Sequence, residues 1–307
     1  MTKFAQKLQS FLFTSFFACV CICMLANSDT SLALAGTGLH LWFENMIPAL
    51  FPFMILSGTL IRMGLSDGFV SLLYPLLRPV FRLSKSACYV IVMGFMCGFP
   101  MGAKCINDLY ANGRLSQREA EWLLSFCNNI GPVYLIGFAL PLINCNSVSM
   151  CIFGMYGLPL LYGFILRYTI YRDCKSPSKD IPVGLQKNLF QALNESIVAA
   201  IQSILSLGGY MILFNMLMLI PAQYAGNLYP YIAPVLEISG GLILLGDNEP
   251  LWALLLLPFG GLSCIAQTYA CIGDTKLSIG TYVIHKLILV AVTGLYYFLR
   301  LRAFRLL

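Results

Sequence analysis

Lys104 is the residue whose setting first asks for chemistry. It follows Gly98-Phe99-Pro100-Met101-Gly102 inside an apolar stretch, 87–110, and a lone cation in such surroundings is costly unless it has a partner or a task. Glycine and proline at that spacing break a helix. A half-helix restarting near Gly102 and Ala103 presents free N–H groups and a positive dipole end, a ready site for a carboxylate with Lys104 beside it. Two other readings of the lysine stay open: an i,i+4 ion pair with Asp108, and snorkelling to the nearer membrane surface.

Four further groups carry polar side chains where apolar ones would be ordinary. Asn128 and Asn129 precede Gly131-Pro132 in an apolar stretch and mark a helix distortion; they suit a carboxylate or a coupling ion, or a plain helix-to-helix hydrogen bond. Ser263 and Gln267 follow Gly260-Gly261 as Pro100 and Lys104 follow the first break, with interhelical hydrogen bonding as the alternative. Gln202 and Ser203 stand where the matching segment has Phe51-Pro52, a polar wall on one side only. Lys286, beside His285 and about 10 Å along a helix from its end by helical rise, reads equally as snorkelling or facing an anion.

Other residues take quieter roles. Ser116 and Glu119 have the spacing of a capping box. Glu44 and Glu195 read as helix-end stabilisers, and Trp42, Trp122 and Trp252 as interfacial anchors. No catalytic residue is assigned: Gly-Leu-Ser-Cys-Ile is not a nucleophile elbow, and no zinc-protease motif, phosphate-binding loop, cofactor motif or metal-ligand spacing occurs, so the chain reads as no enzyme. Its 12 cysteines lie mostly in apolar runs, as small hydrophobes do.

The elements that must position these residues follow from composition. Of 307 residues, 59% are apolar and only 10% are Asp, Glu, Lys or Arg, against about 25% charged in a soluble domain. The fold class is an all-α polytopic membrane protein in contact with the lipid bilayer. The net charge of +6 is spread among apolar segments with no dense basic run, which excludes nucleic acid as a partner. Six stretches approach the ~20 residues a span needs: 11–26, 41–61, 121–142, 148–170, 197–220 and 281–299. The first of them, with Lys3 and Lys7 before it and Ala33-Leu34-Ala35 after it, also imitates a signal peptide. Stretches 87–110 and 251–272, each with a central Gly-rich break, read as re-entrant hairpins, and 69–83 and 231–245 as interfacial helices. With the N-terminus inside, sixteen of nineteen basic residues fall on the cytoplasmic side, among them Arg62, Arg167, Arg300, Arg302 and Arg305. Lys276 falls outside, and Lys104 and Lys286 lie within the membrane.

The same order of elements occurs twice. Glu44 to Gly58 can be laid on Glu195 to Gly209, and Gly98 to Lys104 on Gly261 to Gln267. Residues 1–145 and 146–307 thus read as inverted repeats joined by a linker from Arg172 to Lys187, an arrangement that holds a solute at the membrane midplane between broken helices.

The run from Gly94 through Gly98-Phe99-Pro100-Met101-Gly102-Ala103-Lys104 to Tyr134, with Gly260-Gly261-Leu262-Ser263 further on, resembles the YlbJ (SpoVV) family of sporulation integral membrane proteins. The core of that family is similar to the nucleoside-recognition Gate domain of concentrative nucleoside transporters. The resemblance implies a secondary transporter carrying dipicolinic acid, a small aromatic dicarboxylate, from the mother cell across the outer forespore membrane. The alternative is a non-transport structural or signalling membrane protein of spore assembly. The substrate-binding set is then Lys104, Gly102, Ala103, Asn128, Asn129, Ser263, Gln267, Gln202 and Ser203; the coupling ion stays open, as does the oligomeric state, for which a homo-oligomer is one choice. Reporter fusions after Asn248 and after Lys179 are expected on the outer and the cytoplasmic side respectively; both on one side would break the inverted order.

Overall fold

The computed structural model describes residues 3–144, 147–174 and 188–305, all helix or connecting turn with no strand among them. The expected linker therefore lies mostly outside the described residues, as do Lys175, Lys179 and Lys187 and the 145/146 boundary. Helix α1 spans Lys3–Ala26. Five helices are long and apolar enough to cross a membrane among the described residues, and four of them are continuous: α2 (Ser28–Arg62), α8 (Val148–Tyr168), α9 (Leu189–Tyr224) and α14 (Ile279–Arg305, apolar through Arg300). Between them lie shorter pieces: α3 (Tyr74–Phe81), α4 (Lys85–Cys97), α5 (Met101–Ala111), α6 (Gln117–Leu124), α7 (Pro132–Ile143), α10 (Tyr229–Leu236), α11 (Ile238–Leu245), α12 (Pro250–Leu256) and α13 (Gly261–Ile272).

Local chemistry sets most of the boundaries. Ser84 caps α4 by accepting from Ala87 N (3.0 Å), and Ser116 caps α6 by accepting from Glu119 N (3.2 Å). The Glu119 carboxylate accepts from Ser84 Oγ (3.0 Å), so the cap residue of α4 is tied to the first turn of α6. Arg82, in the left-handed conformation at φ 47°, turns α3 through 103° into α4. Arg167 holds that corner, donating to the carbonyls of Phe81 and Arg82 (3.0 Å each) and of Cys174 (2.9 Å).

The long helices α2 and α9 pack antiparallel. Trp42 Nε1 donates to the Ile204 carbonyl (2.8 Å), and further along Arg62 meets Ser196 Oγ (3.2 Å) and the Glu195 carboxylate (3.5 Å). Glu44 is therefore no helix-end residue: it sits in mid-helix, 3.3 Å from His40. Trp122 is no interfacial anchor either, being fully buried with its indole N–H on the Gly163 carbonyl (2.9 Å).

Three segments differ from the sequence expectation. The span expected over 121–142 is two helices, because Pro132 starts α7 and bars its neighbour Gly131 from helix, leaving 125–131 non-helical. The second hairpin expected at 251–272 is a crossing: α12 and α13 run on through Pro250–Ile272 as one 23-residue apolar stretch. The interfacial helix expected over 231–245 is instead the helical pair α10–α11, folded back on itself at Glu237.

That exchange reverses the last helix. Tyr162 and His285 share a 2.6 Å hydrogen bond, and Tyr297 donates to the Cys151 carbonyl (3.2 Å), so α14 runs antiparallel to α8. Arg300 then lines a groove with Ser147 and Ser149, at the opposite end of the bundle from Arg167, and Lys276 comes to the Arg167 end. The sequence reading had both the other way round, because a hairpin returns the chain to its starting side and a crossing does not. A reporter placed after Lys276 is expected on the same side as one after Lys179; finding it on the side of Asn248 would refute this path.

Candidate functional site

The first helical pair, α4–α5, and the non-helical segment 125–131 are fitted backbone to backbone. A Cβ on Gly94 or Gly102 would collide with the Cys127 carbonyl, and one on Gly98 with the Gly131 nitrogen. Gly98 also has φ +87°, a conformation that other residues adopt only under strain. These approaches bring the start of α5 against Asn128. Its Oδ1 accepts from Ala103 N (3.3 Å), and its Nδ2 donates to Thr268 Oγ1 (2.9 Å) and Tyr282 OH (3.1 Å). One amide thus joins α5, the break, α13 and α14.

Lys286 enters from the other side. Its ammonium donates to the Asn128 carbonyl and to Asn129 Oδ1 (2.9 Å), and lies 4.7 Å from the Phe99 ring centroid and 5.6 Å from that of Tyr282. The residue is fully buried. It neither snorkels nor faces an open cavity; the partner positions are 157 and 158 residues away in sequence, which is why spacing could not reveal them. The legible signal was the lysine itself, an ionisable residue inside an apolar helix.

In the second helical pair the charge at the break is negative. Glu237 caps α11, accepting from Ser239 N (3.1 Å), Gly240 N (2.8 Å) and Asn215 Nδ2 (3.0 Å). Tyr134 OH donates to Ser239 Oγ (3.0 Å), linking this pair to α7. Gly260, at φ +75°, lies against the Phe99 ring, and Gly261 lies against the backbone of 234–238. Glu237, Thr268 and Tyr282 were not singled out from the sequence, since each looks like an ordinary polar residue until its partners are known.

Two cavities flank this core. The larger, about 360 Å³, is lined by Glu44, Phe99, Tyr134, Glu237, Ser239 and Gln267 among others. The smaller, about 240 Å³, is lined by Pro100, Lys104, Asn107, Gln202, Ser203 and Gln267, with Ser206 and Leu207. Gln267 and Leu207 belong to both and stand between them. The larger volume falls within the ~300–1,000 Å³ of small-molecule sites.

The structure thus brings together Lys104, Gln202, Ser203 and Gln267 around the smaller cavity. Lys104 makes no ion pair with Asp108. Ser263 is buried and accepts from Gln267 Nε2 (2.9 Å), orienting that amide from behind. Gly102, Ala103, Asn128 and Asn129 line neither cavity; they form the buried network next to it.

Helical pairs fitted against broken helices, among long apolar crossings, define an all-α polytopic membrane protein. Residues 43–164, from α2 into α8, match the family model described as Gate, nucleoside recognition. The chain is 28% identical over 229 residues to the sporulation integral membrane protein YlbJ of Bacillus subtilis (strain 168), across 68% of this chain and 56% of the relative. It therefore spans little more than half of that protein's length. Both matches bear out the resemblance to which the motifs pointed. No solved structure matches the chain.

The backbone fit at Gly94 is open to a direct test. Gly94→Ala is expected to cost about 1–3 kcal/mol by overpacking, read as a lower melting temperature of the purified protein. Gly209→Ala, which meets nothing within 4 Å on α9, is expected to be neutral. Equal melting of the two variants would show that the α4–α5 pair is not held this way.

Proposed function

We propose that the chain is a secondary transporter of a small anion, dipicolinic acid, carried from the mother cell across the outer forespore membrane. The observation that supports it most is the meeting of two cavities at Gln267 and Leu207, with Lys104 lining the smaller one. Among the described residues Lys104 is the one charged side chain lining that cavity, and it forms no salt bridge. A dicarboxylate bound there takes a charge-assisted hydrogen bond from Lys104 and neutral ones from Gln267 and Gln202, and one from Ser203 once its hydroxyl turns from the Ala199 carbonyl. The acidic residues Glu44 and Glu237 line the other cavity, so the anion's place is beside Lys104.

The thin partition suits alternating access. In this reading the inverted units are shifted from the 1–145 and 146–307 division expected from sequence: α4 to α8 supply a helical pair, a broken helix and a continuous helix, and α10 to α14 supply the same set in inverted order. Tilting of one half against the other opens each cavity in turn while Gln267 stays in contact with the solute. The pairs then enter the membrane from opposite faces as re-entrant hairpins.

Loss of a hydrogen bond to a charged group is worth about 1.5–3 kcal/mol, or roughly 10- to 100-fold in affinity. Lys104→Ala is therefore expected to cut dipicolinate accumulation in forespores about tenfold or more at equal protein level, and Gln267→Ala to cut it by a smaller factor. Normal accumulation in both variants would remove the site and favour a non-transport role in spore assembly.

A further inference from the structure

The cluster around Lys286 has the composition of a cation site that is already filled. Residues 125–131 leave the helix in an apolar setting, and the Asn128 carbonyl has no i+4 donor because Pro132 carries no N–H; in transporters such unwound carbonyls coordinate sodium or protons. Here the Asn128 carbonyl and Asn129 Oδ1 both accept from the Lys286 ammonium, whose remaining surroundings include the faces of Phe99 and Tyr282. Asn129 is locked for this purpose, since its Nδ2 donates to the Phe126 carbonyl (2.6 Å) and turns its oxygen to the lysine. The Asn128 side chain points away, to Ala103, Thr268 and Tyr282, which leaves its backbone oxygen for the ammonium.

The ligand set discriminates between roles. Lys286 makes no salt bridge among the described residues, so it is not half of a buried ion pair. It lines neither cavity, so it is not a contact for the solute. Neutral oxygens and ring faces, with the buried thiols of Cys127 and Cys264 nearby, surround the charge, and such oxygens and rings bind a monovalent cation without choosing a carboxylate as partner.

We infer that Lys286 is a tethered cation occupying, permanently, the position at the α6–α7 break where a dissociable alkali cation would otherwise bind. Its consequence, which rests on the transport reading, is that solute movement is not driven by a sodium or potassium gradient. The tether also explains why no carboxylate is needed at this break: the site is built for one positive charge, and the chain supplies it from α14.

The test uses the purified full chain in detergent, melted in sodium, potassium or choline chloride at equal ionic strength. The wild type is expected to melt at one temperature in all three salts. Lys286→Ala empties the site; it is expected to melt lower in choline and to recover by about 3 °C or more in sodium, potassium or methylammonium chloride. Adding Asn129→Leu to Lys286→Ala is expected to abolish that recovery. A sodium- or potassium-dependent rise in the wild type would overturn the inference, because a filled site has no room for the ion. So would a Lys286→Ala protein that melts alike in every salt, or that none of these cations restores to a folded state. The coupling consequence is read separately, as dipicolinate uptake by proteoliposomes with and without a sodium gradient: equal rates are expected, and a sodium-driven rate would overturn it. Cation-dependent melting of Lys286→Ala with no dipicolinate uptake by the wild type would leave the tethered cation standing and remove the transport reading.

Discussion

The bond between the Lys286 ammonium and the Asn128 carbonyl is the contact on which the surrounding architecture depends. A helix that breaks in an apolar medium exposes backbone groups that no water can satisfy, and a lysine in the same medium needs acceptors. Each solves the other's problem. A cation at mid-membrane costs about 2.5–3.5 kcal/mol on insertion scales, and two hydrogen bonds from a charged donor return about 1.5–3 kcal/mol each, so the ammonium is held where it is. Because Phe99 also faces that ammonium and lies against Gly260, the tip of the first helical pair and the breaks of both broken helices are assembled around one charge.

The second helical pair meets the mirror-image difficulty with the opposite charge. At the start of α11 the exposed groups are N–H donors, and the Glu237 carboxylate takes two of them together with Asn215 Nδ2. A carboxylate at a helix N-terminus and a cation at carbonyls left by a helix end are both arrangements that the peptide dipoles favour. Both charges are buried, and neither forms a salt bridge among the described residues. The result is a hydrogen-bonded polar core flanked by two cavities, the smaller lined by Lys104, Gln202 and Gln267.

Much of this was legible one residue at a time. The Gly98 to Gly102 break is legible in the sequence, since positive φ at Gly98 and close backbone approach leave few alternatives to glycine. So is the distortion at Asn128-Asn129 before Gly131-Pro132, and the Ser116 N-cap with Glu119 three residues on. The second half misled because Gly260-Gly261 is the louder signal. The chain turns back at Pro234 to Glu237 instead, where a proline inside α10 and a capping glutamate do the same work with no glycine at the bend. Periodicity and hydropathy cannot separate a turn from a bend within a crossing, because both need the same break in an apolar run. That one ambiguity reversed the inferred direction of α14.

Local patterning along the chain establishes a helical membrane protein, most of its helix breaks, and the polar residues that are out of place in apolar segments. Those properties are local: hydropathy, capping and the backbone limits of glycine and proline act over a few residues. Which broken segment each buried charge serves is set by packing in three dimensions. That packing gathers Lys104, Gln202, Ser203 and Gln267 at a cavity and withdraws Asn128 and Asn129 to hold Lys286. The physical reason is that an unsatisfied carbonyl accepts from whichever donor the packing brings within about 3 Å, and no pattern along the chain encodes a partner more than 150 residues away.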